Sequence, residues 1–390
     1  MGNSLLDRLL ESSTIKETAT LGESVLFSNT FMAPTAVPML NVALSGDLAG
    51  GLTYGVTQFA GPSKHFKTLF GMLCIKAYLD KFKDGIVLFY DTEFGAGWQY
   101  FDNMGISRER VIHTPIMDLE ELKHDLVVQL KNIERGDHII IFVDSIGNSA
   151  SKKEAVDAEE GKEVADMTRA KSLKSLFRIV TPRLAMKDIP LVAVNHTYKT
   201  MEMFSKDVVG GGTGAYYSSQ NIFIIGRQQD KDTKTKEILG YNFVINVEKS
   251  RFVQEKKKVL LNVTFEKGIN TWSGLLLVAQ EGGFVTCPKQ GKYIRGDSKE
   301  QFTEQETNTK EFWEPVLLDT KFQEYIQKNF KLSNELVNSE LTDEDVDDGY
   351  KEPKKKEDPI DVEELKKIKK SPKDSKKMEA LKAKKRKKNA

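Results

Sequence analysis

The sequence predicts an α/β domain with a mostly parallel central sheet, and three observations predict it. From residue 56 onward, short apolar runs alternate with helical patterns, the signature of strand–helix–strand units. Ile139-Ile140-Ile141-Phe142-Val143 is apolar at every position, as a parallel strand covered on both faces requires. The apolar run 56–60 leads into Gly61-Pro62-Ser63-Lys64-His65-Phe66-Lys67-Thr68 and then a helical pattern. Strand, tight loop, Lys-Thr and helix is the arrangement that holds a nucleoside triphosphate, with backbone N–H groups and the helix N-terminus facing the phosphates, Lys meeting their charge and Thr able to ligate Mg²⁺; the other reading is an ordinary strand–turn–helix with Lys67 solvated.

The elements follow in order. Residues 5–27 read as a short amphipathic helix and connector, with Leu5, Leu6, Leu9 and Leu10 on one side. This arm (1–33) either docks on another subunit or folds back on its own core. Pro34 and Pro38 punctuate the entry to the body, and Ala43-Leu44-Ser45-Gly46-Asp47 reads as a strand or turn. Strands are predicted at 56–60, 86–90, 111–113, 138–143, 190–194, 221–225, 241–248 and 258–265, and helices at about 68–82, 97–104, 118–134 and 164–186. Two long polar loops, at about 149–163 and 198–214, interrupt the alternation; such loops inside a compact domain are functional or disordered. The ATPase core is placed at 34–285, a small C-terminal region at 286–340 and a disordered tail at 341–390.

Composition sets bounds on partners. The formal net charge of +1 hides an asymmetry: residues 351–390 hold 17 Lys/Arg against 8 Asp/Glu, and residues 1–350 hold 41 against 49. The tail passes from acidic (Asp343-Glu344-Asp345) to Lys-rich sequence with few aromatics, a disordered composition suited to nonspecific contact with DNA or another anionic partner, or to a merely solvated role. Cys74 and Cys287 are far apart and suggest neither a metal site nor a disulfide framework. No apolar run approaches the roughly 18 residues of a membrane span. Residues 1–10 lack a signal-peptide pattern, so a reducing cytoplasm is expected.

Ligands of such a sheet gather at the C-terminal ends of its strands, and the strand ends carry the chemistry. Ile86-Val87-Leu88-Phe89-Tyr90 runs into Asp91-Thr92-Glu93, where a carboxylate can activate a water for attack on the γ-phosphate, Glu93 having the longer reach, or where the two acids cap the following helix. The central strand ends in Asp144-Ser145, an arrangement in which Asp144 holds Mg²⁺. Asn195-His196 ends the next strand and leads into the loop closing on Gly210-Gly211-Gly212-Thr213-Gly214, a position from which His196 can sense the γ-phosphate. Lys249 and Arg251, in Glu248-Lys249-Ser250-Arg251, are cations able to act on phosphate in this subunit or a neighbour's, or else decorate a hairpin tip. Phe66 occupies the second Gly position of G-x-x-x-x-G-K-[ST]. Either its backbone needs no Gly there, or strain is accepted for an apolar contact.

Taken together, Gly61–Thr68, Phe89-Tyr90-Asp91-Thr92-Glu93-Phe94-Gly95, Phe142-Val143-Asp144-Ser145, Asn195-His196-Thr197-Tyr198, Gly210–Gly214 and Val247-Glu248-Lys249-Ser250-Arg251 resemble the RecA family of recombinases, and within it the UvsX type of T-even-like bacteriophages. The resemblance covers about residues 35–285. It implies a RecA-like P-loop NTPase core and ATP and Mg²⁺ as cofactors. It also implies a DNA-stimulated ATPase that coats single-stranded DNA as a helical filament, pairs it with homologous duplex and exchanges strands. Gly61, Pro62, Ser63, Lys64, His65, Phe66, Lys67 and Thr68 match the phosphate loop, Thr68 and Asp144 the Mg²⁺ ligands, Glu93 the general base, and Tyr100 the aromatic that stacks on adenine. His196 stands where the bacterial proteins have Gln and UvsX-type proteins have His. Lys249 and Arg251 match the cations that reach the adjacent subunit's ATP. The two loops match the DNA-gripping loops, with Lys152, Lys153, Phe204, Lys206, Gly211 and Gly212 as the implied contacts. A single-strand-binding protein and a loading mediator are implied as further partners. The Lys-rich end departs from the acidic end usual in UvsX-type proteins. A RecA-fold helicase or motor, or a non-catalytic DNA-coating mediator, remains the alternative.

Overall fold

The structure is a computed structural model, and it describes residues 4–26, 31–162, 168–200, 207–232, 234–296 and 298–333. The expectations for Phe204, Lys206 and the tail after 333 lie outside the described residues. Helix α1 (Ser4–Ser12) forms the arm, with Leu5, Leu6 and Leu9 exposed. Helix α2 (Pro38–Ser45) stands where a strand or turn was expected. Pro38 supplies the fixed φ of a first helical residue, and Gly46, at φ 76°, closes the far end in the left-handed region. Seven of its eight residues are buried, so no amphipathic pattern marks it.

Strand β1 (Gly55–Ala60) leads through the phosphate-loop sequence into α3 (Lys67–Lys81), followed by β2 (Ile86–Asp91), α4 (Trp98–Asn103), β3 (Val111–Pro115), α5 (Leu119–Asn132) and β4 (Ile139–Asp144). The Asp118 side chain caps α5 by accepting from the Glu121 N–H. The first polar loop contains a helix, α6 (Lys152–Glu159), capped by Ser151. Next come α7 (Thr168–Lys187), β5 (Pro190–Asn195), the short hairpin β6 (Thr197–Lys199) and β7 (Asp207–Val209), and α8 (Gly212–Ser218). The described residues of the second polar loop therefore pair as β6 with β7 close after β5, and continue into one short helix. Long strands β8 (Ser219–Lys231), β9 (Ile238–Ser250), β10 (Lys258–Thr264) and the short β11 (Gly268–Ile269) extend the sheet. Helix α9 (Leu275–Glu281), strands β12 (Val285–Lys289), β13 (Lys292–Arg295) and β14 (Phe302–Thr303), and helices α10 (Lys310–Leu318) and α11 (Thr320–Phe330) complete it.

The main sheet has nine strands in the order β11-β10-β9-β8-β1-β5-β4-β2-β3. The run from β8 to β3 is parallel, and β9 to β11 add an antiparallel edge. Alternation along the strands feeds two cores. Phe59, Phe89, Phe142 and Val192 face α2, α3 and α9 to α11. Val56, Leu88, Ile141, Val143 and Ala193 face α5 and α7. Both faces are buried, which is why β2, β4 and β5 read as apolar runs, while β1 carries the buried polar Thr57 and Gln58. The register aligns the functional ends: Ala60 pairs with Asn195, and Asp91 with Asp144. Among the described residues no helix is long and apolar enough to cross a membrane.

Gly71 shows how tightly α3 seats on the sheet, since a Cβ there would lie 2.6 Å from Phe142 Cε2. Gly71→Ala should therefore destabilise the protein by roughly 1–3 kcal/mol from overpacking, although Ala gains roughly 1 kcal/mol in helix propensity. Chemical denaturation measures the sign; a stabilised variant would contradict this packing.

Candidate nucleotide-binding and hydrolysis site

The phosphate-loop residues bridge β1 and α3 as the spacing requires. Lys67 is buried, and its Nζ donates to the Pro62 carbonyl at 3.0 Å, inside the curl of the loop. Burial holds the ammonium below the ordinary lysine range, opposed by the nearby Glu93 and Asp144 carboxylates. Thr68 Oγ1 donates to Asp144 Oδ2 at 2.7 Å, which brings the end of β4 against the start of α3.

Phe66 resolves the question its position raised. It adopts φ 53° and ψ 30°, the left-handed conformation that a Gly would take at little cost. Lys64, at φ 61°, does the same. The strain at Phe66 is offset by aromatic contact: its ring lies 5.1 Å from Phe243 and 6.2 Å, edge-on, from Tyr241. Arg227 secures the same corner, stacking over Tyr241 at 4.5 Å and donating to the Lys64 carbonyl at 2.8 Å. Tyr241, Phe243 and Arg227 escape sequence reading, because nothing local marks a strand residue as the support of a distant loop.

Asp144 is the buried charge of the site. Oδ2 accepts from Thr68, while Oδ1 is buried with no hydrogen-bond partner. Desolvation pushes its carboxyl up to about 6, the Thr68 hydrogen bond opposing. A desolvated, half-satisfied carboxylate beside a threonine hydroxyl fits a divalent cation. Mg²⁺ takes one or two protein oxygens and completes its shell with phosphate and water, so the residues present fit the group.

Glu93 lies beyond the end of β2. Its Oε1 accepts from Ser145 Oγ at 2.5 Å and from His196 Nε2 at 3.0 Å. These contacts, led by His196, hold its carboxyl down at about 2. The site thus contains two carboxylates pushed in opposite directions, Glu93 ionised and Asp144 reluctant to ionise. A carboxylate only accepts, so His196 Nε2 carries the proton of their contact. Gly147 makes room for this ring: a Cβ there would meet His196 Cδ2 at 2.5 Å. Thr92 Oγ1 donates to the Ser145 carbonyl at 2.7 Å and fixes the neighbouring turn. Ser145 and Thr92 stood in the recognised strand-end sequences without a role.

The other predicted residues lie outside this cluster of contacts. Tyr100 sits on α4 and is exposed. Within the subunit, Lys249 Nζ donates to the Tyr216 carbonyl at 2.8 Å and the Tyr217 carbonyl at 3.1 Å, at the end of α8. Burial, then the neighbouring Arg251, lowers its ammonium below the ordinary range. Arg251 is exposed. Lys152 and Lys153 are exposed on α6, and Lys153 pairs with Asp157. Gly211, at φ 93°, caps the start of α8 after β7, and Gly212, at φ 69°, is the first residue of that helix.

Fold and site define an α/β protein with a phosphate-loop-like strand–loop–helix, whose loop, acid-terminated strands and the His196 end of β5 meet on one sheet edge. Residues 272–326 match the family model described as the C-terminal domain of the bacteriophage T4 recombination and repair protein. The recombination and repair protein of Enterobacteria phage T4 is 47% identical over 351 residues, covering 86% of this chain and 89% of that one. Protein RecA of Mesomycoplasma hyopneumoniae is 25% identical over 240 residues, 60% of this chain and 68% of that one. Protein RecA of a Synechococcus species is 26% identical over 262 residues, covering 66% and 67%. The chain belongs to the RecA-like family of recombination and repair proteins, in the branch of the phage T4 protein.

Two predictions follow from the geometry. Phe66→Ala keeps the left-handed strain and loses the ring, whereas Phe66→Gly loses the ring but removes the strain. Thermal unfolding should rank wild type above Phe66→Gly and Phe66→Gly above Phe66→Ala, the two variants separated by roughly 1 kcal/mol. The raised Asp144 carboxyl works against folding: its cost is absent at pH values below the ordinary 3.8 and grows as pH rises through about 6. Metal-free Asp144→Asn should therefore melt above wild type at pH 8, by up to roughly 3 kcal/mol, with the gap closing near pH 4. Equal melting at both pH values would contradict the buried-charge assignment.

Proposed function

We propose that this RecA-like recombinase hydrolyses ATP with Mg²⁺ at the edge formed by the C-terminal ends of β1, β5, β4 and β2. The observation that carries the reading is the hydrogen-bonded convergence of Thr68 with Asp144 and of Ser145 with Glu93 and His196, beside the buried Lys67. Bound Mg²⁺ supplies charge neutralisation at the phosphates, held by Thr68 and Asp144. Lys67 exchanges the Pro62 carbonyl for phosphate oxygens. Glu93, kept ionised, orients the attacking water and takes its proton. His196 holds Glu93 in place and faces the γ-phosphate from the strand that feeds the β6–β7 hairpin, so it reports nucleotide state to that hairpin. Tyr100 stacks on the base.

The same reading extends to assembly and DNA. Lys249 and Arg251 act on the ATP of an adjacent subunit, and the exposed leucines of α1 dock on a neighbour, which together build a helical filament. The α6 segment and the β6–β7–α8 segment, with Lys152, Lys153, Phe204, Lys206, Gly211 and Gly212, line single-stranded DNA. Contacts to the DNA backbone dominate affinity and leave base edges free, so homology is tested by base pairing with a duplex.

Lys67→Ala should cut ATP hydrolysis by about 100-fold or more, the scale of losing one preorganised donor to developing charge. Arg251→Ala should lower it at least about tenfold while leaving thermal unfolding unchanged. Turnover measured against protein concentration checks both. Wild-type turnover in Lys67→Ala would overturn the phosphate-loop assignment. Concentration-independent turnover unaffected by Arg251→Ala would overturn sharing across subunits. Strand exchange between two homologous DNAs separates a recombinase from a helicase, which would only unwind.

A further inference from the structure

Gln58 is a wholly buried amide in the middle of β1, two residues before the strand ends. Side chains alternate along a strand, so Gln58 shares the face of Val56, toward the core that holds Ala215 of α8, and not that of Phe59. Its Nε2 donates to Ser219 Oγ at 2.6 Å and to the Ala215 carbonyl at 3.2 Å. Its Oε1 accepts from Asn195 Nδ2 at 2.9 Å. Asn195, also wholly buried, donates from the same Nδ2 to the Gly210 carbonyl at 2.9 Å, and its Oδ1 accepts from the His196 backbone N–H at 2.8 Å.

One side chain on the strand that feeds the phosphate loop thus reaches three places: the strand end carrying His196, the Gly-rich turn through Asn195, and the last turn of α8. An apolar residue would fill this position without the cost of burying an amide. Nor do most of its partners depend on Gln58 alone. Ser219 Oγ also donates to the Ala215 carbonyl at 2.8 Å, and Asn195 keeps Gly210. What the amide adds is a directional tie between elements.

We propose that Gln58 is a positioning residue that fastens the Gly-rich turn and α8 to the phosphate-loop strand, so that nucleotide occupancy sets the geometry of the DNA-facing segment. The inference rests on the reading of that segment as the DNA contact. Asn195 is the shared joint: Gln58 holds it from the rigid sheet, and the turn hangs from its other side. A nucleotide contact at His196 therefore displaces the turn relative to a fixed post.

The test uses the full chain and Gln58→Met, which keeps the length of the side chain and removes its donors and acceptor. Amide exchange across 207–219 is followed with and without Mg²⁺ and a non-hydrolysable ATP analogue, alongside thermal unfolding and ATP turnover with and without single-stranded DNA. The expected result is faster exchange at 210–218 by about fivefold, the scale of one lost hydrogen bond, with nucleotide no longer slowing it. DNA stimulation of turnover should fall at least about fivefold on the same scale, with unstimulated turnover unchanged. Wild-type nucleotide dependence of the exchange would overturn the proposal. So would an equal loss of stimulated and unstimulated turnover, which marks a purely structural amide. If Gln58→Met does not fold, Ser219→Ala removes the hydroxyl end of the same tie and is read by the same outcomes. If wild type shows no DNA stimulation, the DNA reading fails; loss of nucleotide-dependent protection in Gln58→Met would still uphold the tie.

Discussion

A buried carboxylate with one satisfied oxygen governs this molecule. Asp144 sits buried at the end of a strand covered on both faces, and among the described residues only the Thr68 hydroxyl hydrogen-bonds its side chain. Such a group costs stability in the free protein and lowers its cost when a cation arrives. The parallel sheet makes this possible. Register places Asp91 beside Asp144 and Asn195 beside Ala60, so the acids and the phosphate loop stand side by side on one edge. Glu93 shows the opposite treatment, since hydrogen bonds from His196 and Ser145 favour its charge. Two acids with opposed environments fit the proposed division of labour between holding a cation and activating water.

The phosphate loop illustrates how a consensus breaks without losing its geometry. What the loop requires at residue 66 is a left-handed backbone, and Gly is the inexpensive way to obtain it. Here Phe adopts the same φ and recovers the cost through Phe243, Tyr241 and the Arg227 that binds the loop's own carbonyl. The support comes from β8 and from β9 of the antiparallel edge, so that edge helps shape the candidate phosphate loop.

Much of this was legible in the sequence because strand ends concentrate the chemistry. Apolar runs followed by Asp-Thr-Glu, Asp-Ser or Asn-His mark both the strand and the residue that leaves it. The parallel core, and Glu93 and Asp144 as strand-end acids, could be read this way; Lys67 and Thr68 were marked by the loop between β1 and α3. Helix α2 could not, since a nearly fully buried helix shows no polar stripe; only Pro38 and Gly46 betray it. Lys249 offered a cation at a strand end, but its partners in the subunit are main-chain carbonyls, which carry no sequence signal. Gln58 was silent for a different reason: within a stretch read as an apolar run, nothing local marks its amide until the partners on β5, α8 and β8 are seen.

The central claim is that nucleotide chemistry at this edge answers to single-stranded DNA. It is tested most directly by the rate of ATP hydrolysis of the wild-type chain, with products separated, in the presence of Mg²⁺ and with or without single-stranded DNA. The account predicts turnover that requires Mg²⁺ and rises several-fold when DNA is added, on the scale of a preorganised group moving into place. Turnover indifferent to DNA, or equal with and without Mg²⁺, would contradict it.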